Sequence, residues 1–326
     1  MSDRIYPIIA LNRIKNYFSY YVLAQPPSAN ITIGSDGLLF LNGTDAEHEN
    51  NLVDNSCVQA AQPGSLQRFE AALARIAEFG GSRGYPIDVL MVPTIPVLYG
   101  DRLPRSLPSS YREACAAIFA RQGAVSAIQA PAGMRFIYPF AELAALRDDP
   151  AMYPNGAYHA VGLGVRRATE TYLQAIGHAT SKTSLTLTKD WSEALESRDM
   201  QVAFPRYTAD LTEVSPDDEA IEALTKATLP YRDNPGQTIV MYRNDAAPNP
   251  ETVLVLSDSF GTNQALDLSS AFRGVIQMQT PHRDTAGMID AIRNIVPFDR
   301  IILVFNDTNL ARLSEFGENL SMSAGR

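Results

Sequence analysis

The chain has 326 residues, 45% of them hydrophobic and 19% charged, with a formal net charge of −9 and a pI near 5.0. This length and apolar content support a large core in one α/β domain or two smaller ones. The acidic balance argues against a nucleic-acid binder, which carries a basic face, and no apolar run reaches the roughly 18 residues of a membrane-spanning helix.

The first segment, MSDRIYPIIALNRIKNYFSYYVL, has short apolar patches broken by Arg4, Arg13 and Lys15. It lacks the apolar core and small-residue cleavage site of a signal peptide. Ile9, Ile14, Phe18 and Tyr21 recur instead at the spacing of an amphipathic helix. Residues 31–42, ITIGSDGLLFLN, read as two strands joined by a Gly/Asp turn, and 43–64 as a polar loop. Over 65–79 the pattern predicts a helix, with Ser65 as N-cap and Leu66, Phe69, Leu73, Ile76 and Phe79 on one face. Gly80 and Gly81 are its expected end. The run IDVLMV that follows is continuous and apolar, the mark of a parallel strand buried on both faces. A helix over 109–122, a short strand within 135–140 and a helix over 161–176 come next.

After a mixed polar stretch, 180–236, a strand (TIVMYRN) leads to TVLVLSD, a helix (NQALDLSSAF), GVIQMQ, a helix (TAGMIDAIRNI) and a last strand, RIILVFND. That rhythm predicts an α/β fold: a mainly parallel, doubly wound sheet with helices on both faces. No repeat or long linker interrupts it. The expected organisation is an N-terminal helical segment, 1–29, and a single α/β domain, 30–326.

Cys57 and Cys115 are the only cysteines, too few for a metal site or a disulfide framework. In an exported chain they can close a bridge worth about 4 kcal/mol by loop entropy; otherwise they are two thiols. No H-x-x-x-H or C-x-x-C spacing occurs, so neither a metal nor a cofactor is expected.

The stretch VLVLSDSFG, 253–261, ends a strand on Ser257, Asp258 and Ser259 just before a helix. Open α/β sheets bind ligands at such carboxyl ends. A serine there can aim its hydroxyl into a cleft and its N–H at a developing oxyanion. Equally, any of the three residues can cap the helix, and the G-x-S-x-G elbow pattern is absent. A nucleophilic serine needs a base, and there are 4 histidines. His48 lies in an acidic loop. His178 follows Gly177 at a helix end. His282 follows a strand and is the second choice of base, although HRD inverts the esterase order D-x-x-H. His159 precedes the 161–176 helix in MYPNGAYHAVGLG.

Several segments, taken together, resemble the SGNH-hydrolase-like acetyltransferases of bacterial exopolysaccharide pathways, the alginate O-acetyltransferase (DHHW) group. GSDGLLFLNG, Gly34 to Gly43, is similar to that group's G-K-D-G-W-L-F opening. VPTIPVLYGDRLP keeps Val92, Pro93, Tyr99, Leu103 and Pro104 of a second pattern, with Ile95 in place of lysine. AYHAVGLG supplies His159 and Gly164 of the D-x-H-W region, with Ala157 and Ala160 at the Asp and Trp positions. Asp210-Leu211 and SDSFG follow in the group's order, with Ser257 replacing a glycine. VFNDTNL, Val304 to Leu310, is similar to the final V-x-E-R-N-L.

The resemblance spans roughly residues 5–313. It implies an SGNH-hydrolase-like fold, Ser259 as nucleophile, His159 as its base, and a periplasmic setting. It implies a polysaccharide acceptor, an acetyl donor and membrane-complex subunits as partners. Ala157 removes the acid that would orient the imidazole; Asp148 or Asp149 could replace it, and Asn155 could hold the ring without supplying charge. Besides the Ser259 N–H, Asn263 and the region of Asn309 are the candidate oxyanion donors, and Tyr99, Tyr153 and Tyr158 could line a sugar groove. The readings are an O-acetyltransferase, an acetyl-esterase, or a non-catalytic polysaccharide-binding scaffold.

Overall fold

In the computed structural model the described residues are 5–25, 31–41, 52–105, 107–149, 151–153, 159–181, 183–190, 204–232, 237–280 and 284–323. Helix α1 (Ile5–Tyr21) precedes a hairpin of β1 (Ile31–Ile33) and β2 (Leu39–Leu41), paired antiparallel with Ile31 opposite Leu41. Then come α2 (Leu52–Asp54), α3 (Pro63–Arg83), β3 (Ile87–Val92), α4 (Ile95–Leu98), α5 (Ser109–Ala120), β4 (Arg135–Ile137), α6 (Phe140–Ala144) and α7 (Leu163–Ile176). A second hairpin, β5 (Leu185–Asp190) and β6 (Phe204–Ala209), leads to β7 (Ser215–Pro216) and α8 (Asp218–Thr228). The chain closes with β8 (Ile239–Arg243), β9 (Asn249–Ser257), α9 (Gly261–Leu268), β10 (Phe272–Gln279), α10 (Thr285–Ile295), β11 (Arg300–Asn306) and α11 (Leu310–Ser323).

The main sheet has the order β4-β3-β11-β9-β10-β8-β7. Its first five strands run parallel, and β8 and β7 add an antiparallel edge. Period-two alternation splits the strand residues between two cores. Leu90, Val92, Val253, Val255, Ile302 and Val304 face one layer, with α5, α6, α7 and α9. Val89, Met91, Leu254, Leu256, Leu303 and Phe305 face the other, with α3, α8, α10 and α11. The doubly wound expectation holds.

Element ends differ from the sequence reading. The α3 helix starts at Pro63, the position where a missing N–H costs least, with Gln62 rather than Ser65 as cap residue. It also runs through Gly80 and Gly81. A Cβ on Gly80 would lie 2.9 Å from Ile87 Cγ1, so this glycine lets the helix approach β3. The chain turns out at Gly84, φ 72°. Part of the expected 43–64 loop is helical, since α2 and a wide turn occupy Leu52–Gln59. Cys57 and Cys115 are bonded to each other, closing the bridge that the sequence left open.

Candidate active site

The carboxyl ends of β3, β11, β9 and β10 lie along one edge of the sheet, and Ser259 stands just past β9, half-buried. The N-cap residue of α9 is Phe260, whose side chain makes no cap bond, and of the three polar residues before it Asp258 binds the Phe260 amide. Ser257 turns inward, where its Oγ accepts from Gln277 Nε2 at 3.2 Å. The Asp258 carboxylate runs back beneath the turn. Its Oδ1 accepts from the Phe260 N–H (2.8 Å), and its Oδ2 accepts from the Asn306 N–H (2.9 Å), Asn306 Nδ2 (3.0 Å) and Asn309 Nδ2 (2.7 Å). Burial raises the Asp258 pKa, and these donors together with Arg312 pull the other way. Gly261 completes the turn. A Cβ there would sit 2.0 Å from Ser257 Cβ, so only glycine lets α9 begin this close to β9.

The Ser259 hydroxyl meets His159, 100 residues earlier in the chain: Nε2 and Oγ are 2.8 Å apart. The imidazole packs edge-on against Phe260, centroids 4.7 Å apart. Helix α9 fastens this region from the side. Asn263 Nδ2 donates to the Ala160 carbonyl at 3.2 Å, and Gln264 Nε2 to the Val165 carbonyl at 3.3 Å. Arg166 and Asp267 form a buried ion pair, Nη2 to Oδ1 2.9 Å.

Beside the Ser259 turn lies a second buried carboxylate that the sequence reading missed. Asp307 accepts from the Thr94 N–H (3.1 Å), Thr94 Oγ1 (2.7 Å) and Tyr138 OH (2.8 Å). Thr94 Oγ1 also lies 2.9 Å from Ser56 Oγ, next to the Cys57–Cys115 bridge. Burial pushes the Asp307 carboxyl up to about 6, against the pull of its donors. The only signal in the sequence was a polar Asn-Asp pair ending an apolar strand. Among the described residues no cluster of His, Cys, Asp and Glu has metal-binding geometry.

No protein-family model and no curated protein matches the sequence. Solved structures do match in shape. PatB1 of Bacillus cereus, solved with a sulfonyl adduct, superposes with a TM-score of 0.53 at 14% identity, over 86% of this chain and 96% of its own. A DHHW family protein from Eubacterium siraeum gives 0.50 at 12% identity, over 78% and 88%. The chain has the fold of the DHHW group. The O-acetyltransferase domain of Pseudomonas putida AlgJ gives 0.49 at 12% identity, over 86% and 92%.

Within the DHHW fold the other motif positions fall in several places. Asp148 pairs with Arg102, and Asp149 Oδ1 accepts from the Ala151 N–H at 2.9 Å, so these contacts tie both carboxylates locally. Asn155, Ala157 and Tyr158 lie outside the described residues, as do His48 and His282. Tyr99 and Tyr153 belong to the core rather than to a sugar groove: each is 2% exposed, and Tyr153 OH donates to the Pro93 carbonyl. Asn309 Nδ2 donates to Asp258 Oδ2 at 2.7 Å. The His178 N–H donates to the Leu173 carbonyl at 2.8 Å behind Gly177, ending α7 as expected, and its Nε2 lies 3.0 Å from Glu251 Oε2. Asp210 and Leu211 line a polar cavity of about 710 Å³ with Asn244, Pro248 and Ser270, near the amino ends of β9 and β10.

Proposed function

We propose that the protein is an O-acetyltransferase that modifies an exported bacterial polysaccharide through Ser259 and His159. The observation that carries this reading is the 2.8 Å approach of His159 Nε2 to Ser259 Oγ at the ligand-binding edge of a parallel sheet. With Nε2 unprotonated, His159 takes the Oγ proton as that oxygen attacks the carbonyl carbon of an acetyl donor. The oxyanion develops beside the Ser259 N–H at the start of α9, where the helix dipole is positive. Collapse expels the donor's leaving group, which recovers the proton from His159 and leaves acetyl-Ser259. A sugar hydroxyl then gives its proton to His159 as it attacks the acetyl carbon, and on collapse His159 returns that proton to Ser259 Oγ as the C–Oγ bond breaks. Water in place of the sugar makes the same site an acetyl-esterase.

An amide nitrogen carries two N–H donors. Asn263 gives one to Ala160, and in this reading the second serves the oxyanion. Losing one such donor costs about 3–4 kcal/mol of barrier. Ala157 leaves the family's acid position empty of charge. Neutralising that acid in Ser-His-Asp enzymes costs about 10⁴-fold, and positioned proton transfer by itself contributes about 10²–10⁴-fold. Ala157 also favours a second reading, a polysaccharide-binding scaffold without chemistry. The Cys57–Cys115 bridge fits an oxidising compartment, in keeping with a periplasmic protein.

Incubation with an aryl acetate tests the proposal. Expected are a burst of phenol and one acetyl group on the Ser259 peptide by mass spectrometry, both absent in Ser259→Ala. Identical traces for the two proteins, with oligosaccharide binding intact, would leave the scaffold.

A further inference from the structure

Over its described side chains, Leu11 and residues 14–21, helix α1 turns an apolar face outward. Those it buries are Asn16, 5% exposed, and Tyr20, 8%, with the Tyr20 hydroxyl donating to the Gly37 carbonyl. On the solvent side are Leu11 at 65%, Ile14 at 66%, Phe18 at 52% and Val22 at 58% exposure. At 100° per residue these positions fall within one narrow arc, opposite Asn16 and Tyr20. Tyr17 and Tyr21 extend the arc, and Leu23, just past the helix, is exposed as well. The other large hydrophobics exposed among the described residues, Leu229 and Ile295, stand singly. A contiguous apolar stripe on an otherwise ordinary surface marks a place where something docks.

Charge selects the occupant. Between Asp3 and Asp36 the sequence contains Arg4, Arg13 and Lys15 and no further acidic residue, in a chain whose net charge is −9. Lys15 is exposed at the border of the apolar arc. Two copies joined by this face would bring like charges together with no acid on α1 to answer them. An aliphatic and aromatic face with a lysine at its border, on a helix whose sequence carries basic and no acidic residues, is the composition of helices that lie in the headgroup plane of a bilayer. No helix among the described residues is long and apolar enough to cross a membrane.

We infer that α1 is an interfacial docking helix that seats the protein on an anionic lipid surface, its Leu11–Ile14–Phe18–Val22 stripe in the acyl boundary and Lys15 at the headgroups. Each basic residue near an anionic bilayer adds attraction that salt screens, so binding is expected to need both the stripe and the charge.

Co-sedimentation with vesicles tests this on the full chain. Vesicles of mixed phosphatidylglycerol and phosphatidylcholine should bind at least tenfold more protein than phosphatidylcholine alone, and about 0.5 M NaCl should remove most of that gain. Leu11→Ser/Ile14→Ser/Phe18→Ser should abolish binding with the melting temperature unchanged, because these side chains are exposed. Should that variant melt early, Lys15→Glu keeps the test alive, with an expected loss of several-fold on anionic vesicles only. Wild-type protein that ignores anionic vesicles, or a triple variant that binds them equally, overturns the inference. So does a wild-type dimer, made monomeric by the triple variant, that has no vesicle affinity.

Discussion

The two partners of the Ser259–His159 contact are held by different means. The serine turn is locked from behind by one buried carboxylate, Asp258, which accepts from the Phe260 amide, from the Asn306 amide and side chain, and from the Asn309 side chain. Those bonds tie the end of β9 to the end of β11 inside the sheet. The histidine is held from the flank, where side chains of α9 reach Ala160 and Val165 around α7. The turn that carries Ser259 is therefore part of the core's own hydrogen bonding, whereas the segment that carries His159 is joined to helix packing outside the sheet. A group locked into the core fails by unfolding, and one held at the flank fails by misplacement.

Four changes sharpen or break that contrast. His159→Ala should have the largest effect, about 10²–10⁴-fold off the aryl-acetate burst rate with an unchanged melting curve; an unchanged rate would remove His159 as base. Asp258→Ala should act on folding instead. It strands donors on Phe260, Asn306 and Asn309 at about 1–3 kcal/mol for each buried group left unpaired, so a stability loss of about 3 kcal/mol or more in urea titrations is expected. A folded, inactive Asp258→Ala protein would show that the carboxylate serves chemistry rather than the turn. Asn263→Ala should lower the rate about tenfold or more, up to the value of an oxyanion donor, and cost no more than about 1 kcal/mol of stability. Equal activity in that variant would make the Ala160 contact dispensable.

The smallest effect concerns Asp307. Burial raises its pKa to about 6, so the folded chain binds a proton that the unfolded chain releases. Its contribution to stability is full below about pH 4, the unfolded carboxyl value, and is lost as the pH rises through about 6. Between pH 5 and 7 this amounts to about 1 kcal/mol. Melting temperatures measured across that range should show the slope in wild type and a flatter line in Asp307→Asn.

The sheet was legible because its strands are continuous apolar runs, and IDVLMV and VLVLSD can be little else. Helix ends were harder to read. Gly80 and Gly81 look like a terminator locally, but the cause of Gly80 is the closeness of Ile87 in space. Ser259 stood out from its place at a strand's end. His159 was legible only through the resemblance, since one histidine before a helix has no pattern of its own. Asn263 was read as an oxyanion donor, and nothing local foretold its bond to Ala160. The Asp307 network could not be read at all, because Thr94, Tyr138 and Asp307 come from β-strand ends far apart in sequence and meet only when β3, β4 and β11 are neighbours.

That strand order also bears on how the molecule is made. β3 has β4 on one side from early in synthesis, but its other neighbour is β11, the last strand to be translated. The middle of the sheet is thus filled at the end, and long-range parallel pairing of this kind is slow and leaves apolar edges open meanwhile. A nascent chain halted before Arg300 presents the bare flank of β3 to its surroundings, and holdase chaperones or rapid degradation are the expected fate of such fragments.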